Sequence, residues 1–255
     1  MFVLDTHCDT PSQILRLRDL AVDNHHAHVD FPKLRRGGVD GVFFALYVPA
    51  SMDTEEAMAY AEKMLVGVKK SVSENADIVA FACSHKEAVV NKENSRTSIF
   101  LGLENGSPIG HSLERLHYFH DNGVRYVTLC HSADNQICDS CASAVKKWGG
   151  LSPFGRELVS EMNRIGMLVD VSHASDDTFY DVLECSSSPV VATHSCCRSI
   201  CNHPRNMTDD MIRALAQAGG VIQINFYPLF LDAGFSSAEI VKDFSDRDRF
   251  VVFTR

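Results

Sequence analysis

Residues 150–195 read GLSPFGRELVSEMNRIGMLVDVSHASDDTFYDVLECSSSPVVATHS. The first part is a helical pattern closed by Gly166, since a glycine just past the last apolar repeat stops a helix. An apolar run at 167–171 follows and ends on Ser172-His173. A second helical stretch at 175–183 leads into the run Pro189-Val190-Val191-Ala192, which ends on Thr193-His194. Strand, helix, strand, each strand delivering a histidine at its end, is a βαβ unit with metal-type ligands where α/β folds place their sites.

The alternation continues in both directions. Phe2-Val3-Leu4 is a short apolar strand running to Asp5-Thr6-His7-Cys8-Asp9, and Pro11 opens a helix to about Leu20. Residues 23–28 are polar and loop-like. After Gly37-Gly38, residues 39–48 read as a buried strand. Thr54 then caps a long amphipathic helix, with Ala57, Ala61, Met64, Leu65 and Val68 at helical spacing. Residues 98–104 are the third main strand, and 78–82 an accessory one. Leu113, Leu116 and Phe119 mark a helix, and strand four at 124–129 runs out at Cys130-His131. Beyond the opening unit come a helix at 207–218 and strand seven at 219–226. A helix is expected at 236–244 and a short strand at 249–254, the latter a candidate for the eighth place.

Seven β/α units with near-continuous apolar strands predict an α/β fold in one domain, residues 1–255. The architecture expected is a (β/α)8 TIM-type barrel, incomplete or degraded at the eighth strand; an open doubly wound sheet is the alternative.

Composition narrows the partners. With 45% hydrophobic and 22% charged residues and a net charge of -9, the chain reads as an ordinary soluble protein with no basic stripe for nucleic acid. The N-terminus meets an acidic residue at position 5 without a basic leader, so no secretory signal is expected. No apolar run approaches the ~20 residues of a membrane span, and the expected location is cytoplasmic. Nine cysteines, an odd count, argue for reduced thiols. Cys138-x-x-Cys141 lacks the second pair that a four-thiolate zinc site needs.

His7 and Asp9, two apart, project to the same side of a strand and can share a metal. His28-x-Asp30 has the same spacing, but His28 follows the polar Asn24-His25-His26 and reads as a solvated loop residue. Glu104 ends its strand inside Leu-Glu-Asn-Gly, where a carboxylate also serves as a helix cap or ion-pair partner. Each of His131, His173 and His194 alone fits a hydrogen-bonded structural role equally well. Six such groups at five strand ends together point to zinc or another divalent first-row metal.

Several motifs, in order, resemble the membrane (renal) dipeptidase family of zinc peptidases. They are Asp-Thr-His-Cys-Asp-Thr-Pro at 5–11, Gly-Leu-Glu-Asn-Gly at 102–106, the run 150–173, Thr-His-Ser at 193–195, His-Pro-Arg-Asn at 203–206 and the Gly-Gly strand at 219–226. The resemblance covers residues 1 to about 230 and implies a metal-dependent hydrolase barrel with two Zn2+ ions. By residue match, His7 and Asp9 would hold one zinc, His173 and His194 the other, and Glu104 would bridge them. His131 matches the family's catalytic, substrate-oriented histidine. Arg205 matches its substrate-carboxylate binder, although in isolation it reads as a surface ion pair. The implied reaction is hydrolysis of dipeptides by a metal-bridged hydroxide. The implied substrate is a dipeptide; the other partner expectations are a possible homodimer and, from charge and hydropathy, no nucleic acid and no membrane.

One element of the pattern has no match. The family carries a catalytic Asp after strand eight, whereas Asp232, Asp243, Asp246 and Asp248 all precede the last apolar run. The expectation is a chain lacking the family's C-terminal part and a weak or inactive enzyme; the alternative is an inactive metal-binding paralogue or truncated fragment. Barrel deaminases and phosphotriesterases usually show His-x-His on strand one, and Asp9 counts against them.

Overall fold

The computed structural model describes residues 1–227 and, as strand backbone, 237–242 and 248–254. In chain order the elements are β1 (Leu4–Cys8), α1 (Pro11–Ile14), α2 (Phe31–Arg36), β2 (Gly41–Tyr47), α3 (Thr54–Glu74), β3 (Val79–Phe81), α4 (His85–Glu93) and β4 (Thr97–Glu104). There follow α5 (Leu113–Asp121), β5 (Val124–Thr128), α6 (Pro153–Ile165), β6 (Leu168–Asp170), α7 (Asp176–Cys185), β7 (Val191–Ser195), α8 (Asp209–Gln217), β8 (Val221–Ile224), β9 (Ser237–Lys242) and β10 (Asp248–Thr254).

Strands β1-β2-β4-β5-β6-β7-β8 pair in parallel in that order, with β3 as an accessory strand on β4. The sheet curls until β1 approaches β7, where Thr6 Oγ1 donates to the Thr193 carbonyl at 2.8 Å. Among the described residues β1 and β8 do not pair. The result is a nearly closed parallel barrel of the TIM type with an unsealed seam.

Alternation along the strands separates two packed regions. Val42, Phe44, Leu46, Ile99, Leu101 and Leu103 belong to the main core, together with Ala57, Ala61, Met64, Leu65 and Val68 of α3. The intervening residues Phe43, Phe100 and Tyr126 form a separate cluster, with Phe43 stacked on Phe100 at 4.8 Å and 5.2 Å from Tyr126. The sheet register then builds a row of Tyr47, Glu104, Thr128 and Asp170 at the carboxyl ends of four adjacent strands. Glu104 therefore shares a face with Phe100 and Gly102 and stands at the rim.

Local chemistry sets the element ends. Ser152 Oγ accepts from Gly155 N at 2.9 Å to start α6, and Gly166 closes it at φ 77°. Ser175 Oγ accepts from Thr178 N at 3.1 Å at the start of α7.

Several boundaries differ from the sequence expectation. β1 begins at Leu4 and carries His7 inside it, because pairing with β2 at Leu4, Asp5 and Cys8 overrides the short apolar run. The helix expected from Pro11 to about Leu20 stops at Ile14, and the chain turns through Leu17 at φ 60°. Helix α2 is additional, capped by Asp30, whose Oδ1 accepts from Lys33 N at 2.9 Å. The cap of α3 is Asp53 rather than Thr54: Asp53 and Glu56 bond reciprocally in a capping box. Residues 237–242 are strand rather than helix, and β10 pairs antiparallel with β9 instead of taking the eighth barrel place. Pairing with a strand five residues away closes a far shorter loop than pairing with β1. Asp232, Asp243 and Asp246 lie outside the described residues. No described helix is long and apolar enough to cross a membrane.

Candidate metal centre

Glu104 is nearly fully buried at the end of β4, and four histidines surround it. Its two oxygens are used differently. Oε2 lies 3.2 Å from His7 Nε2, and His7 Nε2 is 3.3 Å from Asp9 Oδ1. Oε1 lies 3.1 Å from His173 Nε2 and 3.3 Å from His194 Nε2, and those two nitrogens are 3.0 Å apart. His131 Nε2 stands 4.0 Å from Oε1. Donor atoms ~2.0–2.1 Å from a tetrahedral zinc stand about 3.3 Å from one another, so these separations and this imidazole–carboxylate set fit the metal. Among the described residues the groups close enough to hold an ion are His7, Glu104 and His194, and Glu104, His131 and His173; both include Glu104.

The backbone is bent to achieve this. His173 has φ 70° and Asn105 φ 74°, left-handed values that strain a side-chain-bearing residue by about 1–3 kcal/mol. His173 is held there by its carbonyl, which accepts from Cys141 N at 2.8 Å. Asn105 is anchored by Nδ2 donating to the Val48 carbonyl at 3.1 Å.

A second layer orients the imidazoles. His7 Nδ1 is 2.9 Å from Tyr126 Oη, and His194 Nδ1 is 2.8 Å from Thr193 Oγ1. The His131 ring meets Tyr47 edge-on at 4.8 Å, and its Nδ1 is buried without a hydrogen-bond partner. An orphaned lone pair costs less than an orphaned N–H, which favours the tautomer with its proton on Nε2.

Electrostatics divide the histidines. Burial opposes charge on His7, but the carboxylates of Glu104 and Asp9 outweigh it and raise its pKa to about 10. Burial and the Arg205 charge lower His173 to about 3, and burial with the His7 and Arg205 charges holds His194 well below the usual histidine value. Burial also lowers His131. Burial works to raise Glu104, but the His7 charge and the polar contacts of its oxygens with the surrounding imidazoles depress it well below the carboxylate range. His173 and His194 are thus neutral with available lone pairs, whereas His7 releases a proton when a cation takes its place.

A cavity of about 830 Å³ opens above the cluster, and all seven residues singled out in the sequence line it: His7, Asp9, Glu104, His131, His173, His194 and Arg205. Arg205 is buried, not a surface ion pair; Nη1 donates to Ser195 Oγ at 2.9 Å and Nη2 to the His194 carbonyl at 2.7 Å. Sequence reasoning missed Tyr126 and Thr193. The signal available was weak: Tyr126 shares its strand with the polar Arg125 and Thr128, and Thr193 is marked only by standing beside His194.

A nearly closed parallel barrel with an imidazole–carboxylate cluster at the carboxyl rim is an arrangement suited to holding divalent metal. The profile of the membrane dipeptidase family, peptidase family M19, matches residues 1–249, and the chain belongs to that family. It is 31% identical over 258 residues to the dipeptidase aclJ of Aspergillus oryzae, covering 98% of this chain and 61% of that protein. An uncharacterized dipeptidase of Schizosaccharomyces pombe is 30% identical over 255 residues, covering 93% and 62%. A Rhodobacter sphaeroides metallopeptidase, solved with a phosphinate mimic of the dipeptide L-Ala-D-Ala, superposes with a TM-score of 0.84 at 25% identity, covering 91% of this chain and 75% of that one. The chain spans about three-fifths of the length of these curated relatives.

Proposed function

We propose that this chain carries the centre of a zinc-dependent dipeptidase, with Glu104 bridging two zinc ions, His7 and Asp9 completing one position, and His173 and His194 the other. The observation that supports this most directly is the division of one buried carboxylate: Oε2 faces His7, whose Nε2 is 3.3 Å from Asp9, and Oε1 faces His173 and His194. Two such ions, when bound, supply an activated water and Lewis acidity toward a peptide carbonyl.

The chain's own groups do the rest. Neutral His131, with its proton on Nε2, donates to the carbonyl oxygen as negative charge develops there. Arg205 presents a planar fork, pre-set by Ser195 and the His194 carbonyl, to the free carboxylate of a dipeptide. Tyr47 keeps the His131 ring upright over the cavity. Nine free cysteines suit a reducing compartment, in keeping with a cytoplasmic location.

The test is hydrolysis of a small panel of dipeptides by protein loaded with zinc, with Glu104→Gln beside it. The unaltered chain should bind two ions and release both amino acids only slowly, as expected of a sequence with no match to the family's Asp after strand eight. Glu104→Gln should lose more than about 100-fold in zinc affinity, beyond the effect of an outer-layer contact. Two bound zinc ions without hydrolysis of any dipeptide would refute the activity.

A further inference from the structure

The two halves of the centre are built differently. On one side a fixed relay backs His194: Nδ1 lies 2.8 Å from Thr193 Oγ1, and that hydroxyl is 2.7 Å from Asp170 Oδ2. Asp170 is fully buried and also accepts from Thr128 Oγ1 at 2.5 Å and from Ser172 N and Thr193 N, each at 3.0 Å. With the hydroxyl donating to that carboxylate, its oxygen accepts His194 Nδ1–H, and the Nε2 lone pair faces Glu104. An anion at the end of such a relay fixes the ring and makes the imidazole more basic.

On the other side, His7 Nδ1 meets only the neutral phenol of Tyr126 at 2.9 Å. The second ligand there, Asp9, has a side chain 62% exposed, so water competes for its oxygens, whereas the side chains of His173 and His194 are 13% and 10% exposed.

Taking the two-ion reading above as its ground, we infer that the positions are unequal. The His173–His194 position fills first and holds its ion; the His7–Asp9 position is the weaker and exchanges its ion with the medium. Thr193 and Asp170 act as positioning residues for the tight ion. At limiting metal the protein is then singly loaded, and the second place takes whichever divalent ion is at hand.

Protein stripped with a chelator and titrated calorimetrically with Zn2+ should bind in two steps, roughly 10- to 100-fold apart, the size of an outer-layer contribution. Thr193→Val removes the hydroxyl at near-constant volume and leaves the strand's main-chain bonds in place. It should weaken the tight step by about 10- to 100-fold and spare the weak one. Asp9→Asn should weaken only the weak step. Thr193→Ser, which restores the hydroxyl, should return the tight step, separating loss of the relay from a general loss of fold. A single affinity for both ions, or Thr193→Val acting on the weaker step, overturns the inference and leaves the two-ion reading standing. Uptake of fewer than two ions by the unaltered protein under excess zinc overturns that reading and the inference with it.

Discussion

Arg205 sits ten residues beyond Ser195 in sequence, yet its guanidinium lies under the end of β7 and faces the cavity. A buried fork held on two fixed acceptors loses little entropy when it meets a planar carboxylate. Arg205→Lys keeps the charge and loses the fork, so it should cost about 1.5–3 kcal/mol, a roughly 10- to 150-fold rise in KM at near-constant kcat. Steady-state kinetics on a dipeptide measures this; an unchanged KM with a reduced kcat would place Arg205 away from the substrate carboxylate. The proposed ligands were legible because they stand at or near the carboxyl ends of strands, a region the hydrophobic pattern marks. The residues that orient them were not. His7 and Tyr126 are 119 positions apart, and the register that brings them together is set by β2 and β4 between them. Asp170 illustrates the same limit: it lies inside the apolar run at 167–171, and the fold makes it the buried acceptor behind Thr193.

At the scale of elements, the βα alternation was readable because buried parallel strands are apolar on both faces and the helices between them carry a 3.6-residue stripe. Short elements were not. Helix α2 is fixed by one buried aspartate, and Asp30-Phe31-Pro32 carried the cap-then-proline signal for it. β4 shows a packing constraint that no periodicity reveals. A Cβ at Gly102 would stand 2.1 Å from Tyr126 Cζ, so the glycine is the recess that lets the Tyr126 ring reach His7. Gly102→Ala should overpack the barrel interior by about 1–3 kcal/mol, lowering Tm by roughly 2–12 °C. Thermal unfolding followed by circular dichroism checks this, and an unchanged Tm would mean the ring does not occupy that space.

For the molecule as a whole, the proposed ligands would serve the sheet as well as the chemistry. They arrive from the ends of β1, β4, β6 and β7, and β1 is joined to β2 on one side only. Across the barrel it touches β7 through Thr6 Oγ1 and the Thr193 carbonyl. A bridged ion pair at the rim would tie His7 and Asp9 of the β1 end to His173 and His194 at the ends of β6 and β7. Without cations, charged His7 still pairs with Glu104 and Asp9, but the metal tie from the β1 end to His173 and His194 is gone. Ligand present at 100 times its Kd adds about 2.7 kcal/mol to the folded state, equivalent to a roughly 100-fold change in an opening equilibrium. Chelation should therefore speed amide hydrogen exchange in β1 by up to about that factor. β5, paired on both sides and remote from the seam, should change far less. Exchange measured by mass spectrometry, with and without zinc, decides it: equal acceleration in β1 and β5, or none in either, would show that the ions do not hold β1 against the barrel.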